Sequence, residues 1–297
     1  LFDKHLVDRR LVEAAADVGQ DTIIEILYAT NRLPVGPPNA RHYAGIQSNQ
    51  VRLGVATLQV GDGTKTREAL RTLSTSVVEG ERPKITLKAT REIAVLEDGT
   101  QAPGPDAQAF IDHVDELLGR GGNRDLLIYV HGANTNFESA AAQAAQFQHF
   151  LGRDAVVMVF AWPSAGSLLR YGRDVATTRR TEPVFARLLE QVSAHIQAAH
   201  LNVLAYSAGA MIASPGLARA ADDTAASADP VRLRLGEVYY AAPDIDLPVF
   251  VDNLPRYQDQ VRRVTVAVNL SDRALSFAQW VHRVSRAGRP NLADIGP

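Results

Sequence analysis

An α/β fold, with a mainly parallel central sheet, antiparallel strands at its N-terminal edge, helices on both faces and no large lid domain, is predicted by three observations. From residue 125 onward, apolar stretches of strand length alternate with amphipathic stretches of helical spacing, the pattern of parallel strands joined by right-handed crossovers. Before that point, residues 51–60 and 84–93 alternate with a two-residue period, as half-buried antiparallel strands do. Between Asn202 and Ala210 a short apolar run meets Ser207 and then three small residues, which reads as a strand, a sharp turn and a helix with a serine at the bend.

Taken in order, residues 3–18 place Leu6, Val7, Leu11, Val12 and Ala15 at helical spacing, so a helical extension over residues 1–20 is expected. Residues 22–29 are rich in β-branched side chains and form the first strand, followed by a breaker-rich loop over 33–39. With the two alternating stretches and a short helix at 66–73, residues 21–100 supply the antiparallel edge strands. A helix over 106–118 follows the loop at 101–105, and Asp106 is its expected cap. Strands are then expected at 126–130, 155–161, 203–205, 237–241 and 264–268. Helices are expected at 139–151, 182–199, 208–217, within 247–260 and from about 274 to 284, with 220–230 a surface loop of small residues. Residues 101–297 thus make the α/β core of a single domain, without a strand after residue 268.

Composition narrows the chemistry. At 297 residues, with 46% hydrophobic and 22% charged side chains, the chain has the make-up of a globular protein able to bury a large core. A net charge of -2 gives no basic footprint, so no nucleic-acid partner is expected. No apolar run reaches the roughly 18 residues of a membrane span. The absence of cysteine excludes disulfides, thiolate metal sites and a cysteine nucleophile. The eight histidines have no metal-ligand spacing, Asp62-Gly63 lacks a calcium-loop pattern, and no glycine-rich phosphate loop is present, so no metal or cofactor is expected. The first residue is Leu1 rather than methionine, and residues upstream of it are expected in the natural protein.

The serine at the bend is the candidate nucleophile. An elbow of this kind holds its serine in a strained conformation and brings helix and strand close together, so Ala205, Ala208 and Gly209 meet a need for small neighbours. Ligands of open α/β sheets bind beyond the carboxyl ends of the strands. There the strand at 126–130 runs into His131-Gly132-Ala133-Asn134. The expected oxyanion donors are the main-chain amides of Ala133, with Asn134 as second choice, and of Ala208. His131 lies on the oxyanion side and is expected to be structural. For the acid that orients a catalytic histidine, Asp272 follows the last visible strand, while Asp244 and Asp246 are the alternatives. His282 is the one histidine beyond Asp272 and the candidate base, although it falls within a helical pattern. Asn134, Trp162 and Tyr206 are expected to bind substrate, and residues 164–180 are the candidate flap.

Several further stretches carry a resemblance. Ala29-Thr30-Asn31-Arg32, Val130 through Glu138, Trp162-Pro163-Ser164-Ala165-Gly166, Ala242-Pro243-Asp244-Ile245-Asp246 and Ser271-Asp272-Arg273-Ala274-Leu275 occur in order. With them the chain resembles a bacterial branch of the α/β-hydrolase superfamily catalogued as hydrolases of unknown function. The resemblance implies an α/β-hydrolase fold, a serine nucleophile at Ser207 and esterase chemistry, without a natural substrate. About twenty residues link the strand at 237–241 to that at 264–268, room for one helix and not for an inserted lid, so small or medium esters are expected. Two departures stand out: Tyr206 occupies a position that is histidine in many members, and the last strand with its base-bearing segment is not in the sequence given. The second expectation is therefore a non-catalytic scaffold with an incomplete triad, which binds a ligand or a partner.

Overall fold

The computed structural model describes residues 22–62, 66–74, 83–96, 103–151, 155–165, 171–226, 232–268 and 285–290. The N-terminal helix expected at 3–18 and the helix expected at 274–284 lie outside these residues. One eight-stranded sheet organises the rest. Its strands are β1 (Ile23–Val35), β2 (His42–Val60), β3 (Ile85–Leu96), β4 (Asp125–Val130), β5 (Val156–Phe160), β6 (His200–Tyr206), β7 (Leu235–Ala241) and β8 (Val261–Ala267). Their spatial order is β3-β2-β1-β5-β4-β6-β7-β8. From β1 through β5, β4, β6 and β7 to β8 every pairing is parallel. β2 pairs antiparallel with both β1 and β3, so it alone runs against the others. This is the α/β-hydrolase-type mixed sheet that the sequence predicts.

The two faces sort by the pleat. Ile128 and Val130 of β4, Met158 and Phe160 of β5, and Val203 and Ala205 of β6 belong to one core. It is closed by α2 (Pro105–Arg120), α4 (Tyr171–His195), α5 (Ala210–Ala226) and α6 (Leu247–Tyr257). Tyr129, Val157, Val159 and Ala161 point the other way and pack with Ile26 and Tyr28 against α3 (Phe137–Phe150). That helix buries Ala140, Ala141, Ala144 and Ala145, a small-residue face that lets it lie close on the sheet. It starts where the Asn136 side chain accepts the Ser139 amide at 2.8 Å, a cap worth about 1 kcal/mol. The remaining helix, α1 (Arg67–Ser74), lies between β2 and β3 in the chain.

Several boundaries differ from expectation, each for a physical reason. β1 does not stop near residue 29: after a bulge between Thr30 and Arg32 it keeps pairing to Val35↔His42, so residues 33–35 of the expected loop are strand, Pro38–Ala40 form a 3-10 turn and β2 begins at His42. α4 starts at Tyr171, eleven residues before the expected start, because its first turns bury Asp174, Thr177, Thr178 and Thr181 in a polar network rather than in an apolar stripe. The first part of the expected flap is therefore the buried Ser164, and its last part is helix. α5 runs on to Ala226 with Ala220, Ala221 and Thr224 buried, so most of the expected small-residue loop is helix. Asp106 is not the cap of α2, since Gly104 is the N-cap and Pro105 takes the first helical position. Its carboxylate instead sits in the first turn, where the helix dipole favours it. Among the described residues no helix is long and apolar enough to cross a membrane.

Candidate active site

The bend after β6 is as tight as the sequence requires. Tyr206 keeps extended backbone (φ -107°, ψ 129°), Ser207 turns to φ +50°, and residues Ser207–Gly209 form a 3-10 turn leading into α5. A non-glycine residue in this left-handed region carries strain of order 1–3 kcal/mol, which the surrounding packing must sustain. Gly209 shows how close the packing is. A Cβ there would lie 2.5 Å from the Val130 carbonyl oxygen and 2.7 Å from that of His131, so the start of the helix abuts the end of β4. Ser207 is half-buried, and its hydroxyl makes no hydrogen bond among the described residues. Its carbonyl accepts the Asp244 amide at 2.9 Å, which ties the loop after β7 to the bend.

The loop after β4 lies against this serine. A Cβ on Gly132 would come within 3.2 Å of the Ser207 Cβ and 3.1 Å of the Tyr206 ring, so glycine is what lets the two backbones meet. Asn134 follows at φ +56° and directs its amide to the Asp174 carboxylate. The Ala133 amide has no such partner among the described residues. The Ala208 amide falls in the first turn of its helix, where amides lack intrahelical acceptors. Unengaged amides of this sort favour an anion.

Beneath the loop lies a buried polar layer. Arg32 is 1% exposed and its Nη2 donates to the Thr135 carbonyl at 2.7 Å. The Thr135 amide donates to Ser164 Oγ at 2.9 Å, and that hydroxyl donates back to the Thr135 carbonyl at 3.1 Å. Asp174 accepts the Ala165 amide at 2.6 Å. Thr30 donates to the Ala161 carbonyl at 2.6 Å, and Asn31 to Thr181 Oγ1 at 3.2 Å. Burial lowers the Arg32 guanidinium to about 10, with the Asp174 charge opposing it, so it stays cationic at neutral pH. Burial raises the Asp174 carboxyl, countered by the Ala165 and Asn134 amides and then by Arg32. The sequence reading assigned no role to Arg32 or Asp174. The signal was a run of three polar residues, Thr30-Asn31-Arg32, continuing an apolar strand, because polar groups buried in that way need partners.

The family described as alpha/beta hydrolases of unknown function matches residues 107–294, more than half of the chain. The chain belongs to this family. No curated protein and no solved structure matches it. In this α/β hydrolase the remaining sequence candidates fall as follows.

His131 is fully buried and stacks on Trp162, with ring centroids 5.2 Å apart and planes within 9°. Its Nδ1 is 2.7 Å from the Gly132 carbonyl and its Nε2 3.1 Å from that of Trp162. Burial, helped by the Arg32 charge, pushes its pKa down to about 3, so the ring is neutral and donates to one carbonyl only. Trp162 requires a correction. It is expected to wall the crevice, yet it is fully buried and donates its indole N–H to the His131 carbonyl at 2.7 Å. It shapes the loop from below and has no face left for substrate. Asn134 is exposed, and Tyr206, at 48% exposure, flanks the bend.

The alternative acids are engaged elsewhere. Asp244, 4% exposed, lies 2.9 Å from Arg286 Nε, and Asp246 accepts from Arg286 Nη1. The two carboxylates thus flank one buried guanidinium, which docks residues 285–290 on the loop after β7. Among the described residues no imidazole hydrogen-bonds the Ser207 hydroxyl. Asp272 and His282 lie outside the described residues.

Proposed function

We propose that this α/β hydrolase is a serine carboxylesterase that acts on small or medium esters by acyl transfer through Ser207. The observation that carries the reading is the bend itself: a strained serine at φ +50° packed against Gly132, next in the chain to Ala133, with Ala208 opening the helical turn. In the proposed reaction Ser207 Oγ attacks the ester carbonyl carbon while its proton passes to a histidine base, for which His282 is the candidate, oriented by Asp272. The carbonyl oxygen becomes an oxyanion held by the two amides, each worth about 10²–10³ in rate. The bond to the alcohol oxygen then breaks as the base returns its proton to that oxygen. Water hydrolyses the acyl-enzyme by the same route, which releases the acid and restores the serine. Exposed Asn134 and Tyr206 are the proposed substrate contacts at the mouth.

The test is hydrolysis of p-nitrophenyl esters by the chain and by its Ser207→Ala variant. The expected result is loss of turnover by about 10⁴-fold or more in the variant, with an unchanged unfolding midpoint. Turnover that survives the substitution moves the nucleophile elsewhere. A folded chain that turns over no ester and binds small esters unchanged is instead the ligand-binding scaffold.

A further inference from the structure

Beneath the loop after β4, one donor serves two carbonyls. The neutral His131 ring carries a single N–H, with the Gly132 carbonyl 2.7 Å from Nδ1 and the Trp162 carbonyl 3.1 Å from Nε2. The Trp162 carbonyl already accepts the Ser164 amide at 2.9 Å, whereas the Gly132 carbonyl meets no other donor among the described residues. Gly132 is buried, and a buried carbonyl without a donor is costly, so the bonding network assigns the proton to Nδ1. We propose that this bond from Nδ1 to the Gly132 carbonyl makes His131 the positioning residue that aims the Ala133 amide at the oxyanion. The proposal rests on the Ser207 reading for its chemistry and on the following geometry for its place.

The aim follows from the peptide plane. The Gly132 carbonyl and the Ala133 N–H belong to one trans peptide, so they point in opposite directions. Drawing the carbonyl onto a fully buried ring turns the amide away from that ring. Gly132 is also the residue that meets the nucleophile, since a Cβ there would lie 3.2 Å from the Ser207 Cβ. The amide fixed in this way therefore belongs to the next residue in the chain, and Ala133 itself is half-buried. The plane on the other side of Ala133 is held too, because its carbonyl accepts the Thr135 hydroxyl at 3.1 Å. The ring cannot swing: it stacks on Trp162, whose indole N–H donates to the His131 carbonyl at 2.7 Å. With no exposed edge, His131 acts through Ala133 and not as a base.

The experiment joins spectroscopy to kinetics. Nitrogen-15 NMR of the His131 ring in the folded chain, from about pH 5 to pH 8, is expected to show a proton on Nδ1 and none on Nε2. A proton on Nε2, or on both nitrogens, overturns the clamp. For turnover of p-nitrophenyl acetate two variants separate the donor from the stack. His131→Phe keeps the stack and removes the donor, while His131→Asn sets a side-chain N–H near the place of Nδ1 and removes the stack. His131→Phe is expected to lower kcat about tenfold or more with KM within about threefold. His131→Asn is expected to restore part of that loss even though its urea midpoint is the lower of the two. The preference for the ester over its thiono analogue, whose carbonyl sulfur is a poor acceptor, is expected to shrink in His131→Phe. A kcat that follows the urea midpoints, a loss carried by KM, or an unchanged preference leaves His131 a structural residue only and overturns the proposal. If the unsubstituted chain turns over no ester, it is the Ser207 reading that fails, and the position of the ring proton decides the clamp by itself.

Discussion

Gly209 and His131 show how single residues make the bend possible. At Gly209 the neighbouring atoms are the carbonyl oxygens of Val130 and His131, backbone that cannot rotate away. Gly209→Ala is therefore expected to destabilise the fold by about 1–3 kcal/mol, seen as a lower urea midpoint, and to reduce ester turnover because Ser207 moves with the helix start. His131 has a different signature. Its folded pKa of about 3 lies below an unfolded value near 6.5, so the unfolded chain binds the extra proton between these limits. The stability it contributes is full above about pH 6.5 and is lost as pH falls toward 3. From pH 7 to pH 5 the loss attributable to this ring is about 2 kcal/mol. Urea unfolding of His131→Phe, which keeps the stack on Trp162, should show a shallower decline by that amount over the same range. Equal slopes in the two proteins would mean that the ring takes up its proton in the fold as readily as in the unfolded chain.

At the scale of elements, the loop after β4 is held by groups contributed from β1 and α4. Arg32 reaches it from the extended end of β1, and Asp174 from the first turn of α4. Removing the cation takes the donor from the buried Thr135 carbonyl and one of the charges that favour an ionised Asp174. Arg32→Met is expected to cost about 1–3 kcal/mol in urea unfolding, with ester kcat falling more than KM rises, because the Ala133 amide loses its placement. These same two elements are where the sequence was least legible. Local periodicity ended β1 near residue 29 and began α4 at residue 182, since neither Thr30-Asn31-Arg32 nor Thr177, Thr178 and Thr181 form an apolar pattern. Their partners, such as Asn31 with Thr181, are 150 positions apart in sequence, beyond what any local window reads.

Across the whole molecule, the parallel core was legible because strands buried on both faces are continuous apolar runs, as in β5, where all five residues are buried. The bend was legible for a related reason, as its small residues answer to backbone contacts at fixed offsets. Trp162 was misread because an aromatic at a strand end suits a crevice wall and a buried stack equally well, and the stacking partner His131 comes from a different strand. The loop Pro243-Asp244-Ile245-Asp246 looked like a source of acid, but its carboxylates serve Arg286 from a segment some forty residues further on. What unites these placements is that the loops after β4 and β7 meet at Ser207, the proposed nucleophile, while the ends of β1 and β5 support the loop after β4. The most direct measurement of that claim is peptide mapping by mass spectrometry after treatment with a fluorophosphonate. The expected result is one adduct, on the peptide that carries Ser207, and none in Ser207→Ala. An adduct on a different residue, or an unmodified Ser207 in a folded chain that hydrolyses esters, would contradict it.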